Sequence, residues 1–245
     1  SEEGHSLVKA GHIELLGILR VLEASLFGPR TRFVIHELTG DILSIQGRWD
    51  EAEEQYDHAL PIAVKHKLTT PLARIYSSRA DLAVKKGEMD NALSLHKKAL
   101  EMQIKLRDAQ GAARSHNNMG YIFRRQRDNK RAIEVYGNVE ELLESEDSPD
   151  LTEARIRLAS AFLEMGEMDR ARDHAMKAHD ETAENNQEKL HARSRAVLGR
   201  YYARIKDNNL AMHHYTGALE ILSDQSDPRS AVEVEILLGQ VLSDA

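Results

Sequence analysis

The sequence predicts an all-α fold, a superhelix of antiparallel helix pairs, and three observations point to it. Small residues recur at Gly40, Ala80, Gly120, Ala159, Gly199 and Gly239, with gaps of 40, 40, 39, 40 and 40. Between them apolar residues fall at helical spacing, as at Leu82, Leu93, Leu95, Leu100 and Met102, and no alternating β-branched run of strand length intervenes. Four of the five prolines, Pro29, Pro71, Pro149 and Pro228, sit in polar segments that separate these stretches.

The elements follow in order along a single solenoid domain spanning 1–245. Residues 5–27 read as one apolar-rich helix in which Ala10 and Gly17 are seven apart, like the second helix of a pair lacking its first. Five complete pairs follow at about 33–69, 73–107, 113–146, 152–185 and 192–224. Twelve residues after each of the first five small positions stands Ala52, Ala92, Ala132, Ala171 or Ala211, and seven further on Ala59, Ala99, Val139, Ala178 or Ala218. Positions seven apart lie two turns apart on one helical face, so each pair of small residues makes a shallow groove for a neighbouring helix. Tyr56, His96, Tyr136, Ala175 and Tyr215 fall between them and fill the remaining space. A glycine occupies the turn before the second helix in three repeats (Gly47, Gly87, Gly166), where it suits a left-handed C-cap; Arg127 and Lys206 replace it in two others. Pro61 falls inside a second helix and is expected to bend it. Residues 229–243, with Val232, Ile236, Leu237, Gly239 and Val241, read as an unpaired first helix. Ends of this kind fit terminal caps or a piece of a longer array or multidomain protein.

The segment Gln46-Gly47-Arg48-Trp49-Asp50-Glu51-Ala52, continuing to Tyr56, Ala59 and Leu60, resembles the tetratricopeptide repeat. Lys86-Gly87-Glu88-Met89-Asp90-Asn91-Ala92 and Met165-Gly166-Glu167-Met168-Asp169-Arg170-Ala171 repeat it. The likeness covers roughly residues 30 to 243 and implies a right-handed superhelix, because one pair cannot bury its faces alone. The usual period of that family is 34 residues. A period near 40 is similar to the longer-helix repeats of Pins/LGN-like adaptors and of MalT-like sensor domains. The bulky residue usual at the fourth position of the first helix is replaced by His36, Tyr76, His116, Arg155 and Arg195.

Composition narrows the function classes. The 245 residues include 33 Lys and Arg against 40 Asp and Glu, for a net charge of −7 with 12 histidines neutral. The lack of cysteine excludes a disulfide framework, a thiolate zinc site and a cysteine nucleophile, and fits a reducing, cytoplasmic setting. No apolar run approaches the ~18 residues of a membrane span, and the opening Ser-Glu-Glu-Gly-His has neither region of a secretory leader. A phosphate-binding loop, a His-Glu-x-x-His helix and a Gly-x-Ser-x-Gly elbow are all missing. His174 and His179 lie on different helix faces, and the neighbours His213 and His214 diverge by about 100° on a helix, so neither pair reads as a metal site. His96, in a tyrosine position, reads as a core residue. The expectation is a non-enzyme with no cofactor and no metal.

The resemblance implies a concave groove lined by the first helices. Carried over residue by residue, the ligand-facing positions are Arg74, Ser77, Asp81 and Lys85 in the second repeat. In the third they are Arg114, Asn117, Tyr121, Arg124 and Arg125, and in the fifth Arg193, Arg200 and Arg204. The first and fourth repeats present Glu37, Asp41, Glu153 and Glu164 instead. Arginine donates bidentate hydrogen bonds to carboxylates, so the expected function is a protein-interaction scaffold holding an acidic peptide at repeats two and three. The competing expectation is that these arginines are solvated or pair with glutamates of neighbouring helices. A second functional reading is a ligand-sensing regulatory arm of a larger signalling ATPase or transcription regulator. Nucleic acid is disfavoured, because only Tyr121 and the Tyr201-Tyr202 pair offer stacking surfaces and Glu153 and Glu164 interrupt a phosphate track. Self-association through Val232, Ile236 and Leu237 of the last helix is a further expectation.

Overall fold

Proline and the turn residues decide where the helices start and stop. The computed structural model describes residues 14–19, 28–143, 148–185, 187–224 and 227–243. Residues 14–19 are helical and form α1; the rest of the helix expected over 5–27, Ala10 included, lies outside the described residues. Then come α2 (Pro29–Ile45), α3 (Trp49–Lys65), α4 (Thr69–Lys86), α5 (Met89–Leu106), α6 (Ala109–Arg125) and α7 (Asn129–Leu143). The order ends with α8 (Pro149–Met165), α9 (Met168–Glu184), α10 (Glu188–Arg204), α11 (Asn208–Asp224) and α12 (Pro228–Ser243). No strand occurs among the described residues, and no described helix is long and apolar enough to cross a membrane.

The first helices begin earlier than the sequence predicts, at Pro29, Thr69, Ala109, Pro149 and Glu188. Pro29, Pro149 and Pro228 open their helices rather than lying in linkers, because the first turn needs no N–H donor and proline presets its φ. Pro61 leaves α3 unbroken, and the helix continues through it to Lys65.

Left-handed residues close seven turns among the described residues, glycine in three and Lys67, Arg107, Arg127 and Lys206 in the others, and Lys67 is followed by Leu68, which makes no side-chain cap. Gly47, Gly87 and Gly166 take φ of 76°, 83° and 78°, and each is followed by a residue that makes no side-chain cap. At Gly87 its own N–H donates to the Val84 carbonyl at 3.0 Å, and the Glu88 N–H to that of Ala83 at 2.8 Å, the double bond of a left-handed cap. Arg107, Arg127 and Lys206 adopt the same region at 56°, 61° and 63°, where a Cβ costs about 1–2 kcal/mol. Each is followed by aspartate. Asp108, Asp128 and Asp207 accept the N–H groups of Gly111, Arg131 and Leu210 at 2.8, 3.0 and 3.1 Å, and such caps are worth about 1 kcal/mol.

Consecutive helices pack in pairs: α2 on α3, α4 on α5, α8 on α9 and α10 on α11, while α12 packs on α11 and α10. The two alanine rows hold as predicted, with Ala52, Ala92, Ala132, Ala171, Ala211, Ala59, Ala99, Val139, Ala178 and Ala218 all 0% exposed. A Cβ added to Gly40 would lie 2.4 Å from the ring of Tyr56, at Gly120 2.3 Å from Tyr136, and at Gly199 2.5 Å from Tyr215. The small position is therefore glycine where the second helix inserts a tyrosine. It is alanine, at Ala80 and Ala159, where the second helix offers His96 or Ala175. Gly239 faces open space.

The chain divides into two compact units between Asn118 and Met119. In the first, Phe33, Ile35, Ile42, Tyr56, Ile75 and Leu82 build a core that also takes Leu16 and Leu19 of α1. In the second, Tyr215, Leu222, Val234 and Val241 join the buried alanines of α10 and α11, with Leu158 and Phe162 of α8 buried alongside Tyr136 and Leu143. Three of the residues at the fourth repeat position, His36, Arg155 and Arg195, meet second helices. His36 Nδ1 lies 3.0 Å from Gln55 Oε1, and Arg155 pairs with Glu140 at 3.2 Å and also with Glu181. The Arg195 guanidinium occupies the space a side chain at Gly217 would need.

Candidate binding groove

Each first helix carries its charged residues along one face, and successive first helices sit one repeat apart, so their side chains meet at sequence separations near forty. In the first unit Arg74 grips Glu37 with two of its guanidinium nitrogens, Nη2 and Nε, the latter at 2.9 Å, and Lys85 Nζ donates to Ser44 Oγ at 2.8 Å. Asn118 donates to Asp81 Oδ1 at 3.0 Å. In the second unit Arg124 donates to Glu164 at 2.5 Å, Arg200 stands 3.9 Å from the same carboxylate, and Arg193 pairs with Glu153. The competing expectation thus describes Arg74, Arg124, Arg193 and Arg200: all are bound to carboxylates of neighbouring first helices. Arg125 and Arg204 are exposed, Asn117 is buried, and Tyr121 is partly exposed with the Arg157 guanidinium 5.6 Å from its ring centroid.

Two hollows open on these faces. The first, about 320 Å³, lies within the first unit and brings together the predicted Arg74, Ser77, Asp81 and Arg114. Its lining also holds Glu37, Asp41 and Asp108, so carboxylates outnumber guanidiniums there. Burial pushes the Asp81 carboxyl up to about 6, with Lys85 opposing and Asp41 adding to the rise. Behind it His96 is fully buried, Nε2 3.5 Å from Asp81 Oδ1, and burial lowers its pKa to about 4. The core reading of His96 is correct, and its imidazole is neutral at pH 7.

The second hollow, about 220 Å³, lies within the second unit between α8, α10 and α12. Its walls are mainly aliphatic, with Arg193 and Arg200 on one side and Glu233 on the other. Arg157 and Arg193 share Glu153, whose carboxyl burial would raise but the two guanidiniums hold below the usual range. Burial lowers the pKa of Arg200; Glu164 opposes this, and Arg124 and Arg204 add to it. Of the cations expected on repeats two, three and five, those of the second unit, Arg124, Arg193 and Arg200, pair with Glu153 and Glu164 of the fourth repeat, as does Arg157. There the arginines of α6, α8 and α10 share only two glutamates of their own row.

Sequence reasoning weighed the histidines singly or in pairs along one helix and missed a cluster. His179 of α9 stacks on His191 of α10 at 4.7 Å and meets His214 of α11 edge-on at 5.8 Å, and Tyr202 stacks on His214 at 5.3 Å. Burial, reinforced by Arg195, His179 and His213, lowers the pKa of His214 to about 4. The available signal was positional: His179 closes one helix as His191 opens the next across a short turn. Among the described residues no group of three His, Asp or Glu is placed to hold a metal ion.

Residues 71–145 match the family profile of the tetratricopeptide repeat. No curated protein matches the chain in sequence. Among solved structures, BtubC (BKLC) from P. vanneervenii shares 22% identity over 89% of this chain and 91% of its own, with a TM-score of 0.72. A signal transduction ATPase with a tetratricopeptide repeat sensor, PH0952 from Pyrococcus horikoshii, shares 16% identity over 92% of this chain, which spans 35% of that protein, with a TM-score of 0.78. A Rap protein complexed with competence and sporulation factor shares 15% identity over 98% of this chain and 72% of its own, with a TM-score of 0.66. Residues 71–145 thus carry the tetratricopeptide repeat in sequence, and along most of its length the chain shares the all-α helix-pair fold of these solved structures.

Proposed function

We propose that the chain is a non-catalytic interaction domain whose first helices receive an extended, acid-bearing segment of a partner protein. The observation that supports this reading is the charge on the first-helix face of the second unit. Arg124, Arg157, Arg193 and Arg200 face Glu153 and Glu164, with Arg204 near Arg200, a guanidinium excess in a protein of net charge −7. The inter-repeat pairs hold several of these side chains in place before any ligand arrives, which lowers the ordering cost of binding. The solved structure of a related fold with competence and sporulation factor bound is consistent with such use of the fold. A cytoplasmic location belongs to the same reading and accords with the lack of cysteine.

The test is selection of random heptapeptides displayed on phage against the immobilised chain. Acid-rich peptides should be enriched, and Arg193→Glu/Arg200→Glu should lose them while circular dichroism stays unchanged. Failure to enrich any peptide would overturn the proposal. A second reading, a sensor arm of a larger signalling ATPase, is favoured by the fold match to the sensor-bearing ATPase. A native gene that encodes a nucleotide-binding domain in the same chain would select it. Self-association is a third element: Val232 and Ile236 are more than half exposed on α12, whereas Leu237 lines the second hollow. Sedimentation of the wild type against Ile236→Glu should show a dimer lost in the variant; a monomer in both would remove the idea.

A further inference from the structure

The second hollow has a chemistry that charge alone does not describe. Ile156 of α8, Val197 of α10, Leu222 of α11, and Val234 and Leu237 of α12 give it aliphatic walls. Its volume of about 220 Å³ is below the ~300–1,000 Å³ of small-molecule pockets and suits one or two side chains of a longer ligand. Arg200 lines the hollow three residues after Val197, one helical turn away on the same face, and Arg204 follows one turn further. Arg200 shares Glu164 with Arg124, and Glu164 is much closer to Arg124, at 2.5 Å against 3.9 Å. Arg200 is thus the less satisfied of the two cations, beside an apolar cavity. Glu233, the one carboxylate among the lining residues, belongs to α12 rather than to the helices that carry the arginines.

We infer that this hollow is a two-part subsite that seats an aliphatic side chain of the bound segment between α8, α10 and α12, and at Arg200 a carboxylate side chain two residues away. The spacing follows from geometry. In an extended chain, residues i and i+2 face the same side about 6.6–6.8 Å apart, whereas Val197 and Arg200 are separated by about 4.5 Å of helix rise, to which the length of the arginine side chain adds. Adjacent residues point to opposite sides and cannot fill both parts. The apolar part removes a side chain from water, and the guanidinium recognises the acid by charge-assisted hydrogen bonds. The inference rests on the proposed function and narrows it to a sequence pattern, acid-x-aliphatic in either direction.

The experiment uses the full chain and the heptapeptides selected from the phage library, measured as synthetic fluorescein-labelled peptides by anisotropy. Selected peptides should carry an acidic residue two positions from a Leu, Ile or Val. Glu to Gln or Leu to Ser in the peptide should each weaken binding about tenfold or more, and moving the acid by one position should do the same. These changes leave the protein untouched, so folding cannot confuse the result. On the protein side, Arg200→Gln should erase the preference for Glu over Gln, while Arg172→Gln, at an exposed position of α9, should retain it. Selected peptides that lack the pattern, or keep their affinity within about twofold through these changes, would overturn the subsite and leave the interaction reading standing. No enrichment of any peptide would overturn both.

Discussion

Adding one methyl group at Gly120 should cost this protein more than almost any other single methyl. A helical Gly→Ala change in open surroundings stabilises by about 0.5–1 kcal/mol, because alanine loses less backbone freedom on folding. At Gly120 the new Cβ would stand 2.3 Å from Cε1 and 2.5 Å from Cζ of Tyr136, where carbon atoms settle at about 3.5–4.0 Å. The ring or the helix must therefore retreat by more than about 1 Å, and Tyr136 is 0% exposed, with no space to yield into. Overpacking of this kind costs about 1–3 kcal/mol and occasionally more, so after the helix-propensity gain a net loss of about 1–2 kcal/mol is expected. The assay is urea unfolding followed by far-ultraviolet circular dichroism, run as a double-mutant cycle with Tyr136→His. That second change imitates the natural Ala80–His96 combination. Gly120→Ala should be strongly destabilising in the wild type and neutral or stabilising in the Tyr136→His background, a coupling of about 2–3 kcal/mol. The same loss in both backgrounds would refute the steric reasoning. Because repeat arrays can unfold in stages, hydrogen exchange of α6 and α7 should show the loss locally.

Three further outcomes follow from the turns, the buried histidines and the ladder. Lys206→Gly should stabilise by roughly 0.5–1 kcal/mol by relieving the left-handed φ, and Asp207→Ala should destabilise by about 1 kcal/mol by uncapping α11; both are read from urea midpoints. His96 and His214 have pKa values lowered to about 4 in the folded chain, against about 6.5 unfolded. The unfolded state binds more protons between those values, so stability is present above pH 6.5 and lost as pH falls toward 4. Ala80→Gly/His96→Tyr, which installs the pairing of the other repeats, should flatten part of that slope in urea titrations at pH 7.5 and 5; an unchanged slope would remove His96 as its source. Arg74→Ala strands the buried Glu37 carboxylate and should cost about 1–3 kcal/mol, whereas Arg74→Ala/Glu37→Gln should recover most of it in the same measurement.

The repeat was legible because its contacts are local and recur: Ala52 and Ala59, and their counterparts at the same offsets, announce a buried face wherever they occur. The Gly–Tyr rule was equally present in the letters, since tyrosine stands sixteen residues after each glycine of the first five small positions and after neither alanine. The dipeptides Arg107-Asp108, Arg127-Asp128 and Lys206-Asp207 likewise marked three of the turns that lack glycine, once aspartate is read as a cap. The groove was legible only as a set of positions. Whether Arg74 or Arg193 is bound already depends on a carboxylate 37 or 40 residues away, and therefore on the register between first helices of successive repeats. The histidine cluster draws on three helices, and no single-helix periodicity reveals it.

The Gly–Tyr pairing also limits how such a gene can be rearranged. A crossover in the turn between the helices of a repeat would join one repeat's first helix to another's second. Joining the Ala80 helix to the Tyr136 helix would drive a methyl group into an aromatic ring, and joining the Gly120 helix to the Ala175 helix would leave a void. A crossover between repeats keeps each glycine with its own tyrosine. For shuffled or consensus-built versions of this array, the heritable unit is the intact hairpin, and the safe splice points are the turns before α4, α6, α8 and α10.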